Sequence, residues 1–183
     1  VLAGTFTTRA TIGMLRRLGF RVEEFPPAAS FADIKSAMQR LGGLLGQRAK
    51  ADQLLQHLDE ELARYARTPE KRRSAATYYA NNYTSGRGTL TAEAMQRAGL
   101  SNMAETLGAK GVTRLPLEVL VMNAPDLLIG LARQPRAPAL AEEMLAHPAL
   151  RAIAGSDQAA VPDKYWLCGT PFTAEAVRVL AEA

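Results

Sequence analysis

Apolar positions fall at helical spacing through one long stretch of this chain and at strand-like spacing on either side of it. Phe31, Ile34, Met38, Leu41 and Leu45 follow one another at steps of three and four residues, the buried stripe of an amphipathic helix. Ser30 stands before it as an N-cap, and Asp33 acts as a weaker form of the capping box. Gly42, Gly43 and Gly46 weaken its end. A second stripe, Ala51, Leu54, Leu55, Leu58, Leu62 and Tyr65, predicts a helix over 47–67, which would rise about 30 Å.

Before these helices the pattern predicts a strand ending near Gly4, a helix over 10–18 stopped by Gly19, and an alternating strand over 20–25 closed by Pro26-Pro27. That is one β-α-β unit with parallel strands. Two strands and a helix cannot close a core, so the unit either joins a later sheet or has partners upstream of Val1. After the long helix, a β-like run over 75–80 enters a polar loop over 81–88 and leaves through a helix over 91–98. A helical turn over 100–108, an extended piece at 111–114, a helix over 117–122 and a strand over 126–130 follow. Next come a proline-containing loop at 133–138 and helical pieces at 139–145 and 148–153. A short strand at Val161 and a closing helix over 172–183 end the chain. Strands alternating with helices predict an α/β fold, a three-layer lobe with a mostly parallel sheet.

The 183 residues are 48% hydrophobic and 22% charged, an ordinary globular composition. The net charge of +4 is mild, and acidic pairs separate the basic clusters. There is no basic stripe interleaved with aromatics, so nucleic acid is not an expected partner. A single cysteine, Cys168, allows no intrachain disulfide, and its neighbourhood predicts a small buried residue at a strand end. No apolar run approaches the roughly 20 residues of a membrane span. The chain opens on Val1 as though a strand were already under way, which predicts a fragment or a processed product.

The chemistry concentrates in the 81–88 loop. Asn81, Asn82, Tyr83, Thr84, Ser85 and Arg87 supply amides, hydroxyls, a phenol and a cation, groups that grip a ligand without transforming it. The plainer alternative is a solvated loop between core tyrosines. Strand alternation puts Tyr78 and Tyr79 on opposite faces, so at least one belongs to the core, and Tyr79, nearer the strand end, is the expected ligand-side residue. No phosphate loop, nucleophile elbow or H-E-x-x-H motif occurs. His57 lies beside an apolar stripe and His147 stands alone, so no metal site is expected from either. The chain reads as a binder, not an enzyme, and no cofactor is expected.

Several ordered segments carry a resemblance. They are 41–46 followed by the long helix, Tyr83-Thr84-Ser85-Gly86 followed by a helix ending at 98–102, Leu115-Pro116-Leu117-Glu118 leading through Ala124-Pro125-Asp126 into a strand, and Trp166 before a final helix. In this order the chain resembles the periplasmic substrate-binding proteins of ABC importers for iron-siderophores, haem and cobalamin. The resemblance implies that 1–46 is the end of an N-terminal lobe, 47–67 an interlobe helix and 68–183 the C-terminal ligand-binding lobe. One stiff helix between lobes implies only slight closure around ligand.

It further implies export to the periplasm or anchoring at the outer face of the membrane, a monomer, and an inner-membrane ABC permease as partner. The ligand would be an iron chelate, haem or a corrinoid, gripped by Tyr79, Asn81, Asn82, Tyr83, Thr84, Arg87 and Trp166. The aromatics offer flat surface and Arg87 a cation for carboxylates. Acidic residues dock such proteins on their permease, and Glu93, then Glu105, would be the counterparts. Three rivals fit the same sequence: an α/β enzyme acting on a tetrapyrrole or nucleotide, a carrier of bare metal ions, and a sensor lobe.

Overall fold

The computed structural model describes residues 1–130, 145, 147–153 and 157–183. The readings placed on 133–138 and most of 139–145 lie outside them. Among the described residues no helix is long and apolar enough to cross a membrane.

The chain begins with β1 (Leu2–Gly4), α1 (Arg9–Arg17) and β2 (Glu23–Phe25), the strands pairing in parallel as a two-stranded sheet. Arg16 bonds the Glu24 carboxylate at 2.7 Å and ties α1 to β2. Arg40 bonds Glu23 and lies 4.6 Å from the Phe25 ring centre, which fastens β2 to the next helix. Leu2, Phe6, Leu18 and Phe20 remain exposed on this unit.

That next helix, α2 (Phe31–Leu44), starts as its sequence predicts: the Ser30 hydroxyl accepts from the Asp33 amide at 3.1 Å. Asp33 reaches back to accept from the Ala29 amide, one residue before the cap. Gly46 takes the left-handed conformation (φ 66°) that ends the helix. The Gln47 amide donates to the Gly42 carbonyl at 2.8 Å, the reversal by which α2 turns into α3 (Arg48–Tyr65). The two pack as a hairpin with Leu55, Leu58 and Leu62 of α3 buried.

Among the described residues the main sheet has four parallel strands in the order β5-β3-β7-β8, with β3 (Arg73–Tyr78), β5 (Leu100–Asn102), β7 (Leu127–Gly130) and β8 (Asp157–Ala160). A separate antiparallel ribbon pairs β4 (Tyr83–Ser85) with β6 (Val112–Arg114). The remaining α-helices among the described residues are α4 (Leu90–Arg97), α5 (Met103–Thr106), α6 (Leu117–Asn123), α7 (Pro148–Ile153) and α8 (Ala174–Glu182).

Both faces of the sheet are covered, and the alternation along each strand shows it. Ala75, Leu127 and Ile129 face a core shared with α2, α3, α4 and α8, while Ala76, Tyr78 and Leu128 face a second core with α5, α6 and α7. Phe31 and Ile34 of α2 belong to the first of these cores, so the apolar face of α2 is packed onto the second part of the chain, while Arg40 on the same helix holds β2. The fold is α/β with a mainly parallel sheet, as the pattern predicts.

Several local expectations give way. Residues 100–102 form the edge strand β5 and not helix, because they pair with Arg73, Ser74 and Ala75 before α5 begins. The final strand is 157–160, one step before Val161, and its polar sequence Asp-Gln-Ala-Ala had hidden it. Cys168 is exposed in the loop before α8 and not buried at a strand end.

Candidate functional site

A pocket of about 410 Å³ opens where the segment before α2 meets the carboxyl end of β3. Its walls come from three places: Pro27 to Ala29, the Tyr79, Ser85 and Gly88–Thr91 stretch with Val112 of the ribbon, and Asp163 with Trp166 and Leu167. The position is the one expected of a parallel sheet, outside the carboxyl ends of strands.

Tyr79 and Trp166 line this pocket. Tyr78 points the other way, buried in the second core with its hydroxyl donating to Asn82 Oδ1 at 2.9 Å. The remaining expected ligand residues do not join them. Asn81 and Asn82 take left-handed backbone (φ 58° and 63°), where the chain turns through a 3-10 helix (Ala80–Asn82), and asparagine tolerates that conformation better than most residues. Asn82 faces a different hollow beside α6. Tyr83 lies outside the pocket with the Arg114 guanidinium 5.5 Å from its ring centre. Thr84 is fully buried, its hydroxyl 3.2 Å from that of Thr77. Arg87 bonds Glu105 at 2.9 Å and lines a polar hollow of about 370 Å³ with Arg72 and Gln96. The 81–88 stretch is thus largely a strand and turn, not an open loop. Its ribbon continues past β4, the Arg87 amide donating to the Ala109 carbonyl at 3.0 Å.

The pocket's other walls carry no sequence signal of their own. Ala28, Val112 and Leu167 are ordinary apolar residues, and only tertiary contact brings them together. Gly169 sits so close to Ala28 and Ile34 that a Cβ there would collide with the Ala28 methyl. This seam holds the Trp166 loop against the segment before α2.

Tyr79 is half-buried, and its phenol is pushed up to about 12. Burial is the main cause, the nearby Asp163 carboxylate adds to it, and the Thr77, Ser85 and Thr91 hydroxyls pull the other way. The ring therefore presents a neutral phenol, able to donate and accept, across the physiological range. Because the folded value lies above the ordinary one, the stabilisation is complete below pH about 10 and is lost as pH rises through about 12. Tyr79→Phe is expected to remove a late phenolate transition near pH 12 from an ultraviolet titration of the folded protein. Burial also pushes the Tyr78 phenol up, so the variant is expected to lose one late phenolate and not all of the late absorbance. An unchanged late amplitude means the assignment to Tyr79 fails.

Glu93, expected at a docking surface, is engaged inside the protein. One carboxylate oxygen accepts from the Phe31 amide at 2.8 Å, capping α2 from across the pocket seam, and the other bonds Arg97 at 3.1 Å. Arg97 in turn lies 5.4 Å from the Phe31 ring centre. Glu93→Ala is expected to cost about 1–2 kcal/mol, because it strands a partly buried amide. Glu93→Gln, which keeps an acceptor, is expected to recover most of that loss in a urea melt. Equal destabilisation by both substitutions would mean that the charge, not the cap, matters. His57 is exposed, as expected, and the His147 ring accepts from the Ala149 amide at 3.1 Å at the start of α7. Among the described residues no group of three or more His, Cys, Asp or Glu side chains gathers to hold a metal.

Comparison with known proteins bears on this geometry. The profile of a family described as periplasmic binding protein matches residues 1–155. A search of curated proteins by sequence gives no match. Among solved structures, the periplasmic haem-binding protein of Roseiflexus sp. RS-1 superposes with a TM-score of 0.83 at 20% identity, covering 100% of this chain and 75% of that one. An Fe3+-hydroxamate transport protein from Saccharomonospora viridis gives 0.77 at 23%, covering 99% and 67%. The periplasmic vitamin B12 binding protein of Vibrio cholerae gives 0.64 at 15%, covering 99% and 71%. Identities this low show a shared fold.

Proposed function

This chain belongs to the periplasmic binding protein family, and from that premise we propose that it is the solute-capturing component of an ABC importer. It takes up a metal chelate or tetrapyrrole-sized ligand in the pocket between the segment before α2 and the loops beyond β3 and β8, and hands it to a permease. The family consists of binding proteins of transport systems and not of enzymes. The observation that carries the reading is the pocket itself. It is a concave, largely apolar site with a few converging polar groups, where Tyr79 and Trp166 supply flat surface with a polar tip.

In this reading the long α3 is the stiff connector, the β1–α1–β2 unit belongs to a first lobe, and 68–183 forms the second, with α2 packed onto its core. The unpaired β1–β2 sheet and its exposed apolar residues support that division. The protein works outside the cytoplasm, in the periplasm or anchored at the membrane's outer face, and acts as a monomer. A permease contact falls to exposed acidic residues other than Glu93, whose carboxylate is already committed.

Titration with ferrioxamine B, hemin, cyanocobalamin and Zn2+ tests the reading. Trp166 is the only tryptophan and lines the pocket, so its fluorescence reports occupancy. Quenching by at least one chelate and none by Zn2+ is the expected result. Response to the bare ion alone, or chemical conversion of any ligand, would defeat the proposal.

A further inference from the structure

The pocket's charge pattern narrows the ligand class, given the chelate-binding reading above. Among its described lining residues Asp163 is the single ionised side chain, and no arginine or lysine joins it. Asp163 opens a one-turn helix (Asp163–Tyr165), and its carbonyl accepts from the Trp166 and Leu167 amides at 3.2 and 2.9 Å, which fixes the residue at the rim. Among the described residues its carboxylate has no hydrogen-bond or ion-pair partner.

Among the described residues the cations on neighbouring elements are directed elsewhere. Lys164 lies 4.8 Å from the Tyr165 ring centre, Arg97 bonds Glu93, Arg114 stacks on Tyr83, and Arg87 bonds Glu105 in the separate polar hollow. Lys110 lies beside Arg87 in the ribbon, outside the lining. The rest of the wall is apolar or neutral: Ala28, Val112, Leu167, the Trp166 ring and the Tyr79 phenol. A ligand carboxylate brought here meets a carboxylate and, among the described residues, no cation, so the electrostatic match at this rim disfavours it. A ligand ammonium or amide meets an acceptor that is otherwise unpaired.

We propose that this wall selects chelates whose outer face is neutral or cationic, bearing amide, carbonyl or ammonium groups, over chelates decorated with carboxylates. Trihydroxamates with an amine tail and amide-fringed corrinoids fit it. Haem, with its two propionates, does not.

A matched set of ferric trihydroxamates isolates the charge. Ferrioxamine B ends in an ammonium, its N-acetyl form is neutral, and its N-succinyl form ends in a carboxylate, with the metal core unchanged. The expected order of affinity is ammonium first, acetyl next and succinyl last, the extremes about tenfold or more apart. Asp163→Asn is expected to compress the series and Asp163→Lys to reverse it, in proteins whose thermal melts match the parent. Succinyl binding as tight as ammonium binding, or an order unmoved by both substitutions, overturns the proposal. So does hemin binding with all three trihydroxamates rejected, a result that would leave the chelate-binding reading standing. Silence toward every chelate, with or without a response to Zn2+, would instead defeat that underlying reading and the selection built on it.

Discussion

Trp166→Ala is expected to lower the free energy of unfolding by about 3–5 kcal/mol before any ligand is added. The indole is 7% exposed and belongs to the main core, with Phe31, Ile34 and Leu58 in the same cluster. Removing it leaves a cavity beneath the pocket floor that the helices around it cannot fill without moving. Trp166→Phe keeps a ring in place and is expected to cost much less. Circular dichroism during urea unfolding separates the two, since the variants lose the intrinsic fluorophore. A Trp166→Ala midpoint equal to that of the parent would show that the ring does not pack. The result also bears on binding: weaker affinity in Trp166→Ala would mix lost contact with lost structure. Tyr79→Phe, half-buried and nearly isosteric, is the cleaner probe of the pocket.

Asn102→Ala is expected to cost nearly as much, on the order of 2–4 kcal/mol, through polar groups instead of volume. This side chain is 7% exposed and joins two elements. Its Nδ2 donates to the Ser85 carbonyl at 2.8 Å, and its Oδ1 accepts from the Ala104 amide at 3.1 Å, capping α5. Alanine strands a buried carbonyl and a buried amide at once. Asn102→Asp keeps the cap acceptor but turns a carboxylate toward the Ser85 carbonyl, so it is expected to recover little. Because Ser85 lines the pocket, hydrogen exchange of the Tyr83 to Arg87 amides should quicken in both variants. Unchanged exchange there would show that the ribbon is held by other contacts.

The helices were legible because a helix repeats its signal. Phe31 and Ile34, and Leu55, Leu58 and Leu62, meet the core where the spacing marks them, whereas Leu45, predicted in the same stripe, is 60% exposed because the chain turns there at the end of α2. Strand β7 was legible because both faces of a parallel sheet are covered, which leaves a short continuous apolar run. Strands β5 and β8 were not, since three or four residues at the edges of a sheet need little apolar content and are defined by their neighbours. The 81–88 stretch reads as a loop but folds as a turn and a strand. Polar residues that read as ligand groups have structural engagements: Asn81 and Asn82 make a left-handed turn, the Thr84 hydroxyl bonds that of Thr77, and Arg87 pairs with Glu105.

What the sequence by itself determined is the class of fold, the two successive amphipathic helices, the division of Tyr78 and Tyr79 between two faces, and the family. Each follows from periodicity or from ordered motifs, and periodicity is a local property that survives without knowledge of partners. What only the tertiary structure decided is which polar groups are free. A side chain's chemistry is written in the sequence, but its availability depends on what lies within hydrogen-bond reach, and those partners stand far along the chain. Glu93 and the Phe31 amide are 62 residues apart. Tyr79 and Asp163, which share the pocket, come from opposite ends of the main sheet's sequence. The stretch richest in polar groups therefore supplies mostly structure, and the pocket wall is completed by alanines, a valine and one aspartate that no local pattern singles out.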